Sequence, residues 1–335
     1  MHMKQQSTTI GPDTVEQGGV FSGLPELTVV VISYNTKTMT LDCLASLFNE
    51  TKTPLEVIVV DNASSDGSAE AIASAFPQVR LIAESVNHGF APAHEIAMVH
   101  ATAPWLLLLN PDTVVLDGAV DRLLNFAKSR PQAGIWGGRT VYADRRINPY
   151  SCWRRMSLWT IFCRLTGLTG IFPNSGIFNS EEYAGWDRDT EREVDIVTGC
   201  FFLIERAKWD ELGGFDPDFT MYGEEADLCL RARLSGLRPR ITPDACIVHY
   251  GGASEPVAAD RIVRVLRAKM ELVLRHFPKG RRRLGQALFR LFPLSRMIAN
   301  AAFARLTGND RFALKSSVWR EVWKRRAEWQ SGFLK

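Results

Sequence analysis

The chain has 335 residues, 46% of them hydrophobic, which suits one large core with a smaller helical extension and argues against disorder throughout. Six scattered cysteines (Cys43, Cys152, Cys163, Cys200, Cys229, Cys246) form no CxxC pair, which argues against a disulfide framework or a zinc ribbon. The formal charge of +3 hides an asymmetry: residues 260–335 carry 19 Lys and Arg against 5 Asp and Glu, the remainder 21 against 32, so a basic tail follows an acidic body.

Residues 1–26 are polar and rich in Gly, Ser and Thr; they read as a flexible leader without a signal peptide or membrane anchor, and the expectation is a cytoplasmic protein. Leu27 to Ser33 (LTVVVIS) and Leu55 to Val60 (LEVIVV) are short β-branched apolar runs with helical segments between and after them, the pattern of buried parallel strands. Val79 to Ala83 and Trp105 to Leu109 continue it, preceded by Ser68 to Ala75 and Ala91 to His100 as helices. Alternation of this kind predicts an open α/β sheet. Beyond Asp112 the regularity weakens, and residues 140–195 read as loops covering a site. Val194 to Ile204 reads as one further strand, residues 224–235 as a helix, Ala245 to Val248 as a last short strand before Gly251 and Gly252, and everything after Ala258 as helix.

Ligands of an open parallel sheet bind beyond the carboxyl ends of its strands. Three runs end in polar residues: Ser33-Tyr34-Asn35, Asp61 to Ser68 (DNASSDGS), and Asn110-Pro111-Asp112-Thr113. Any one of these alone reads most simply as a turn or helix cap, and Asp66 suits the cap of the Ser68 helix. Three at equivalent sheet ends point to a site.

The ordered series Val31 to Asn35, Val59 to Ser68, Asn87-His88-Gly89-Phe90-Ala91, Leu109 to Asp112, Val194 to Cys200, Gly213 to Asp216, Met221 to Arg231, then His249 with Gly251-Gly252 and Ser254, resembles the family 2 glycosyltransferases, and within them the subgroup containing bacterial rhamnosyltransferases. The resemblance implies the GT-A fold, a mostly parallel central sheet flanked by helices, over residues 27–257, with residues 258–335 as a basic amphipathic helical extension. It implies inverting transfer of a sugar from a nucleotide-diphosphate donor, L-rhamnose from its dTDP form in this subgroup, to a hydroxyl of a glycan or lipid-linked acceptor. Asp112 and His249 then hold Mg²⁺ or Mn²⁺, which stabilises the leaving diphosphate. Asn110 to Asp112 keeps only the second carboxylate of the family's usual pair. Ser33, Tyr34, Asn35, Asp61, Asn87, Gly89 and Asn110 join Asp112 as donor-binding positions, with Asp61 gripping the nucleoside. Glu225 aligns with the base that deprotonates the acceptor hydroxyl, one methylene longer than the usual Asp; Glu224 stays open as an alternative base, and is grouped with Trp186 and Gly199 on the acceptor side, with Trp153 as an alternative to Trp186. Asp227 and Arg231 form an i, i+4 pair. His94 and Glu95 stand where relatives commonly carry Asn.

Three readings of the basic tail remain open: an amphipathic surface on the inner membrane leaflet with Trp319, Trp323 and Trp329 as interfacial anchors, a subdomain packed on the body, or a homodimer contact. Rival functions are a non-catalytic nucleotide-sugar-binding protein, a transferase using another donor such as a UDP-sugar, and a nucleic-acid-binding protein led by the tail. The acidic body and the lack of a nucleic-acid motif argue against the last, so no nucleic-acid partner is expected.

Overall fold

The computed structural model describes residues 23–219, 221–251 and 258–333. The predicted leader as far as residue 22, and positions Gly252 and Ser254, lie outside the described residues. In chain order come β1 (Leu27–Ser33), α1 (Lys37–Glu50), β2 (Leu55–Asp61), α2 (Ser68–Ala75), β3 (Arg80–Ala83), α3 (Phe90–Met98), β4 (Trp105–Leu109), β5 (Thr113–Val115), α4 (Ala119–Ser129) and β6 (Ile135–Val141). There follow β7 (Cys152–Trp153), α5 (Leu158–Thr166), α6 (Leu168–Ile171), β8 (Arg192–Glu193), β9 (Ile196–Val197), β10 (Phe201–Glu205), α7 (Arg206–Leu212), α8 (Glu224–Leu234), β11 (Arg240–His249), α9 (Ala258–His276), α10 (Lys279–Thr307) and α11 (Asp310–Lys324).

Among the described residues the main sheet runs β3-β2-β1-β4-β10-β6-β11-β5, with β8 beside β11. The pairs β2–β3, β1–β2, β1–β4 and β6–β11 are parallel, while β10, β5 and β8 run against their neighbours. The sheet is buried on both faces, which is why its strands read as continuous apolar runs. Alternation still sorts the side chains: Val30, Ile32, Ile58, Val60, Leu106 and Leu108 pack toward α3 and α8, and Val29, Val31, Val57, Val59, Leu107 and Leu109 toward α1 and α4.

The predicted Val194–Ile204 strand is two elements: β9 pairs with β7, and β10 enters the main sheet beside β4. The turn between them presents Thr198, Gly199 and Cys200 at the sheet's ligand edge. β11 is longer than the predicted Ala245–Val248, and α4, β5 and β6 arise where the pattern had weakened. β6 contains the Gly137-Gly138 pair. A Cβ on Gly138 would lie 2.2 Å from the carbonyl oxygen of Ala245, so the glycines allow close backbone approach inside a strand.

The C-terminal helices pack on the body through a third core in which Val263, Leu266, Met270 and Val273 of α9 meet Ile161, Phe289, Val322 and Trp329. This corrects one reading of the tail: Trp329 is fully buried, its indole donating to Val322 O at 3.1 Å, and is no interfacial anchor. Trp319 and Trp323 pack partly buried against the same core. Leu284, Leu291, Ile298 and Phe303 face solvent. Among the described residues no helix is long and apolar enough to cross a membrane.

Candidate active site

The carboxyl ends of β1, β2, β4 and β11 and the amino end of β10 lie along one sheet edge, because Ser33 pairs with Asp61, Leu109 with Phe201 and His249 with Thr113. The chain leaves β4 through Asn110-Pro111-Asp112 and enters β5 on the far side of the sheet, against β11. That crossing brings together two residues distant in sequence: His249 Nε2 stands 3.4 Å from Asp112 Oδ1. Around them, Tyr250 N donates to Asp112 O and Gly251 N to Asp112 Oδ2, both at 3.0 Å, so the second carboxylate oxygen is held by backbone.

Burial opposes ionisation of Asp112, but the hydrogen bond and charge of His249 hold its carboxyl below the usual range. Burial likewise opposes the imidazolium of His249, and interactions with Cys200 and Asp112 outweigh it and raise its pKa. His249 Nδ1 is buried without a hydrogen-bond partner. Asn110 N donates to Cys200 O at 3.1 Å, closing the loop onto the amino end of β10.

One residue before Cys200, Gly199 faces α8: a Cβ there would lie 3.7 Å from Glu225 Cβ and 3.9 Å from the ring of Phe90. Cys200, whose carbonyl accepts from Asn110 N, and Gly199, which faces Glu225, are adjacent in the chain and so relate the Asp112 loop to α8. Tyr222 and Gly223, ahead of α8, both adopt the left-handed region, with φ of 71° and 91°. For a bulky residue such as Tyr222 this is strained backbone, and it aims the first turn of α8 at the cleft. The Oε2 atoms of both Glu224 and Glu225 are buried without partners. Desolvation raises both pKa values, with the Glu225 charge adding to the rise at Glu224. Only Glu225 of the pair lines a cavity of about 220 Å³ walled by Tyr150, Trp153, Tyr222, Ala268 and Leu272.

Asp61 ends β2 with Oδ1 accepting from Ser64 N at 2.9 Å and Oδ2 buried and unpartnered. Around it lies a polar lattice. Asn35, at φ 52°, donates from its N to Ser64 Oγ at 2.9 Å and accepts from Ser65 N at 2.8 Å. The Ser33 hydroxyl is fully buried against Thr36 and Thr40, so it secures α1. Asn87 Oδ1 accepts from Gly89 N at 2.8 Å and from Asn62 Nδ2 at 3.0 Å. Asn62 also binds Gly89 O at 3.0 Å and His88 N at 2.9 Å, which makes it the hub joining β2 to the start of α3. Sequence reasoning did not single out Asn62; its place directly after Asp61 was the available signal. Tyr34 is exposed. Asp66 accepts from Ser68 N at 3.1 Å and Lys37 N at 2.9 Å, tying α2 to α1.

Trp186 is not among the residues lining the cavity beside Glu225. Its indole donates to Thr190 at 3.0 Å, and Arg188 and Arg192 lie over its ring at 5.3 and 4.7 Å. Trp153 does line that cavity. His94 is buried between Phe90 and Phe215, and desolvation lowers its pKa to about 4, so it serves as a neutral packing group.

Do these residues suit a divalent cation? Among the described residues no cluster of three or more His, Cys, Asp or Glu could hold one. Asp112 and His249 would supply two ligands, and hard cations in phosphate-transfer sites commonly use one or two carboxylates with substrate phosphates and water. Ligands at right angles on bonds of about 2.1 Å stand about 3 Å apart, close to the observed spacing. The residues fit, provided the donor completes the shell.

Residues 28–213 match the model of glycosyl transferase family 2, and the chain belongs to that family. It is a glycosyltransferase of rhamnosyltransferase-like type. The N-acetylglucosaminyl-diphospho-decaprenol L-rhamnosyltransferase of Mycobacterium tuberculosis is 29% identical over 67% of this chain and 76% of its own length. Succinoglycan biosynthesis protein ExoO of Rhizobium meliloti is 30% identical over 77% of this chain and 70% of its own. The fold is similar to that of a mannosyltransferase from Pyrobaculum calidifontis in complex with GDP-mannose and Mn²⁺, with TM-score 0.53 and 20% identity over 93% of this chain and 86% of that one.

Proposed function

We propose that this protein is an inverting transferase that moves a deoxyhexose, L-rhamnose from dTDP-rhamnose, onto a hydroxyl of a lipid-linked glycan. The observation that carries the reading is the 3.4 Å approach of His249 to Asp112 at the end of the sheet, with Glu225 facing Gly199, the neighbour of the Cys200 that closes the Asn110 loop; this supports a leaving-group site and a base at one sheet edge. The relatives' names supply the sugar and the lipid-linked acceptor.

Asp61 accepts from the nucleoside through its unpartnered Oδ2. Asn110 and Asp112 flank the diphosphate; Asp112 and His249 would hold a Mg²⁺ or Mn²⁺ ion, which would supply charge neutralisation for the leaving diphosphate. Glu225 takes the acceptor hydroxyl's proton as that oxygen attacks the anomeric carbon from the face opposite the diphosphate. Burial supports this assignment, because a carboxylate raised above its ordinary pKa is a stronger base. Glu224 is buried beside it in the chain, and the Glu225 charge adds to the burial that raises the Glu224 pKa.

Glu225→Gln tests the reading. Transfer should fall by about 10²–10⁴-fold, the usual worth of general base catalysis, while dTDP-rhamnose still protects the protein against heating. Full transfer in that variant ends the base assignment, and equal protection by UDP-sugars ends the donor assignment.

A further inference from the structure

We infer that a hydrocarbon chain of the acceptor lies in an apolar cleft between the body and the C-terminal helices; this rests on the transferase reading above and gives its acceptor a binding mode. Beside the cavity at Glu225 lies a second, of about 570 Å³. Its walls include Ile161 of α5, Ile262 and Leu266 of α9, Phe289 and Phe292 of α10, and Trp319 of α11. The two cavities share Tyr150, Arg164, Glu181, Tyr222, Val265 and Lys269, so the space continues from the base into the helical extension.

The chemistry of the walls selects the occupant. A glycan entering the second cavity would bury hydroxyls against aliphatic and aromatic groups, at the cost of unmade hydrogen bonds. An alkyl or isoprenoid chain loses nothing there and leaves water. The volume lies within the range of about 300–1,000 Å³ typical of small-molecule sites, and packed interiors seldom leave such a void unused.

Charge orders the ligand along the cleft. At the neck, Arg164 and Lys269 are already met by Glu181 at 3.1 and 2.9 Å. Arg261 lines the second cavity and makes no ion pair among the described residues, so an anionic link between sugar and chain finds a cation there. The acceptor sugar then lies at Glu225, the link near Arg261, and the chain along Phe289 and Phe292.

Equilibrium binding of dodecyl diphosphate, ethyl diphosphate and dodecyl glucoside, all below micellar concentration, tests the cleft directly. Dodecyl diphosphate should bind at least about tenfold tighter than the ethyl compound, since burying two methylenes is worth about that factor. Val265→Trp, which fills the neck, and Ile262→Glu, at a half-exposed wall position, should each remove about tenfold of that preference in protein that still melts cooperatively. Arg261→Glu should weaken the diphosphate and not the glucoside. Equal affinity for the two diphosphates, or indifference to both wall variants, overturns the inference. Chain-length-dependent binding without transfer to any sugar acceptor would instead sink the transferase reading while keeping the cleft.

Discussion

His276, in the last turn of α9, donates from Nε2 to Asp227 Oδ1 at 2.8 Å and so joins the C-terminal extension to the helix that carries Glu225. The other oxygen of Asp227 accepts from Arg231 Nε at 2.6 Å, and Arg231 Nη2 reaches Gly214 O at 2.7 Å. The extension therefore helps hold α8 in place against the body. Burial alone would raise the Asp227 pKa, but His276 and Arg231 lower it.

Asp227→Asn should consequently destabilise the fold by about 3–5 kcal/mol, the usual cost of breaking a buried ion pair from one side. Urea denaturation measures it. Because the folded pKa is depressed, the wild-type contribution is present above the unfolded value of about 3.9 and fades as pH falls through the folded one. A loss under about 1 kcal/mol at neutral pH would mean the cluster is solvated and does not hold the helix.

Glu224 makes the opposite case. Desolvation and the neighbouring Glu225 raise its pKa, so the folded protein binds a proton there that the unfolded chain releases. The penalty is absent below the unfolded value of about 4.3 and grows as pH rises through the raised folded value. Glu224→Gln should raise the melting temperature at pH 8 by about 1–2 °C and do so less at pH 5, given roughly 1 kcal/mol of relief in a chain of this length. A gain of equal size at both pH values would show that charge is not the cause.

Strands β1, β2 and β4 could be read from sequence because a sheet buried on both faces writes itself as apolar runs, and polar residues such as Asp61 and Asn110 mark where those runs stop. What escaped was set by long-range pairing. β5 is three residues long and owes its existence to β11, and β6 hides behind glycines that Ala245 requires. Likewise, Trp153 rather than Trp186 lines the cavity because the pairing of β7 with β9 decides which aromatic faces Glu225. That pairing leaves no periodic trace.

Asp112→Asn keeps the shape of the β4–β5 crossing but would offer the proposed cation a neutral oxygen beside His249. Loss of transition-state charge stabilisation worth several kcal/mol should lower transfer by about 100-fold or more. Protection by dTDP against heating should then lose its dependence on Mn²⁺. Chelation of divalent ions should reproduce the effect in the wild type. Undiminished transfer after chelation would show that the diphosphate leaves without metal assistance.

Arg188 is buried and, among the described residues, meets no carboxylate within ion-pair distance. Its Nη1 donates to Trp186 O at 2.6 Å, and its Nη2 to Glu182 O at 2.6 Å and Pro149 O at 2.8 Å. One planar fork thus gathers three stretches of the segment that presents Tyr150 and Trp153 to the cavity. A lysine ammonium cannot reproduce that fork, and each carbonyl left unpaired costs about 1–3 kcal/mol. Arg188→Lys should therefore loosen this wall and raise the acceptor KM by about tenfold, a shift of about 1.4 kcal/mol in binding, with dTDP binding unchanged. Steady-state kinetics against acceptor and donor separate the two. A parallel rise in both KM values would mean that Arg188 supports the whole cleft and not the acceptor wall alone.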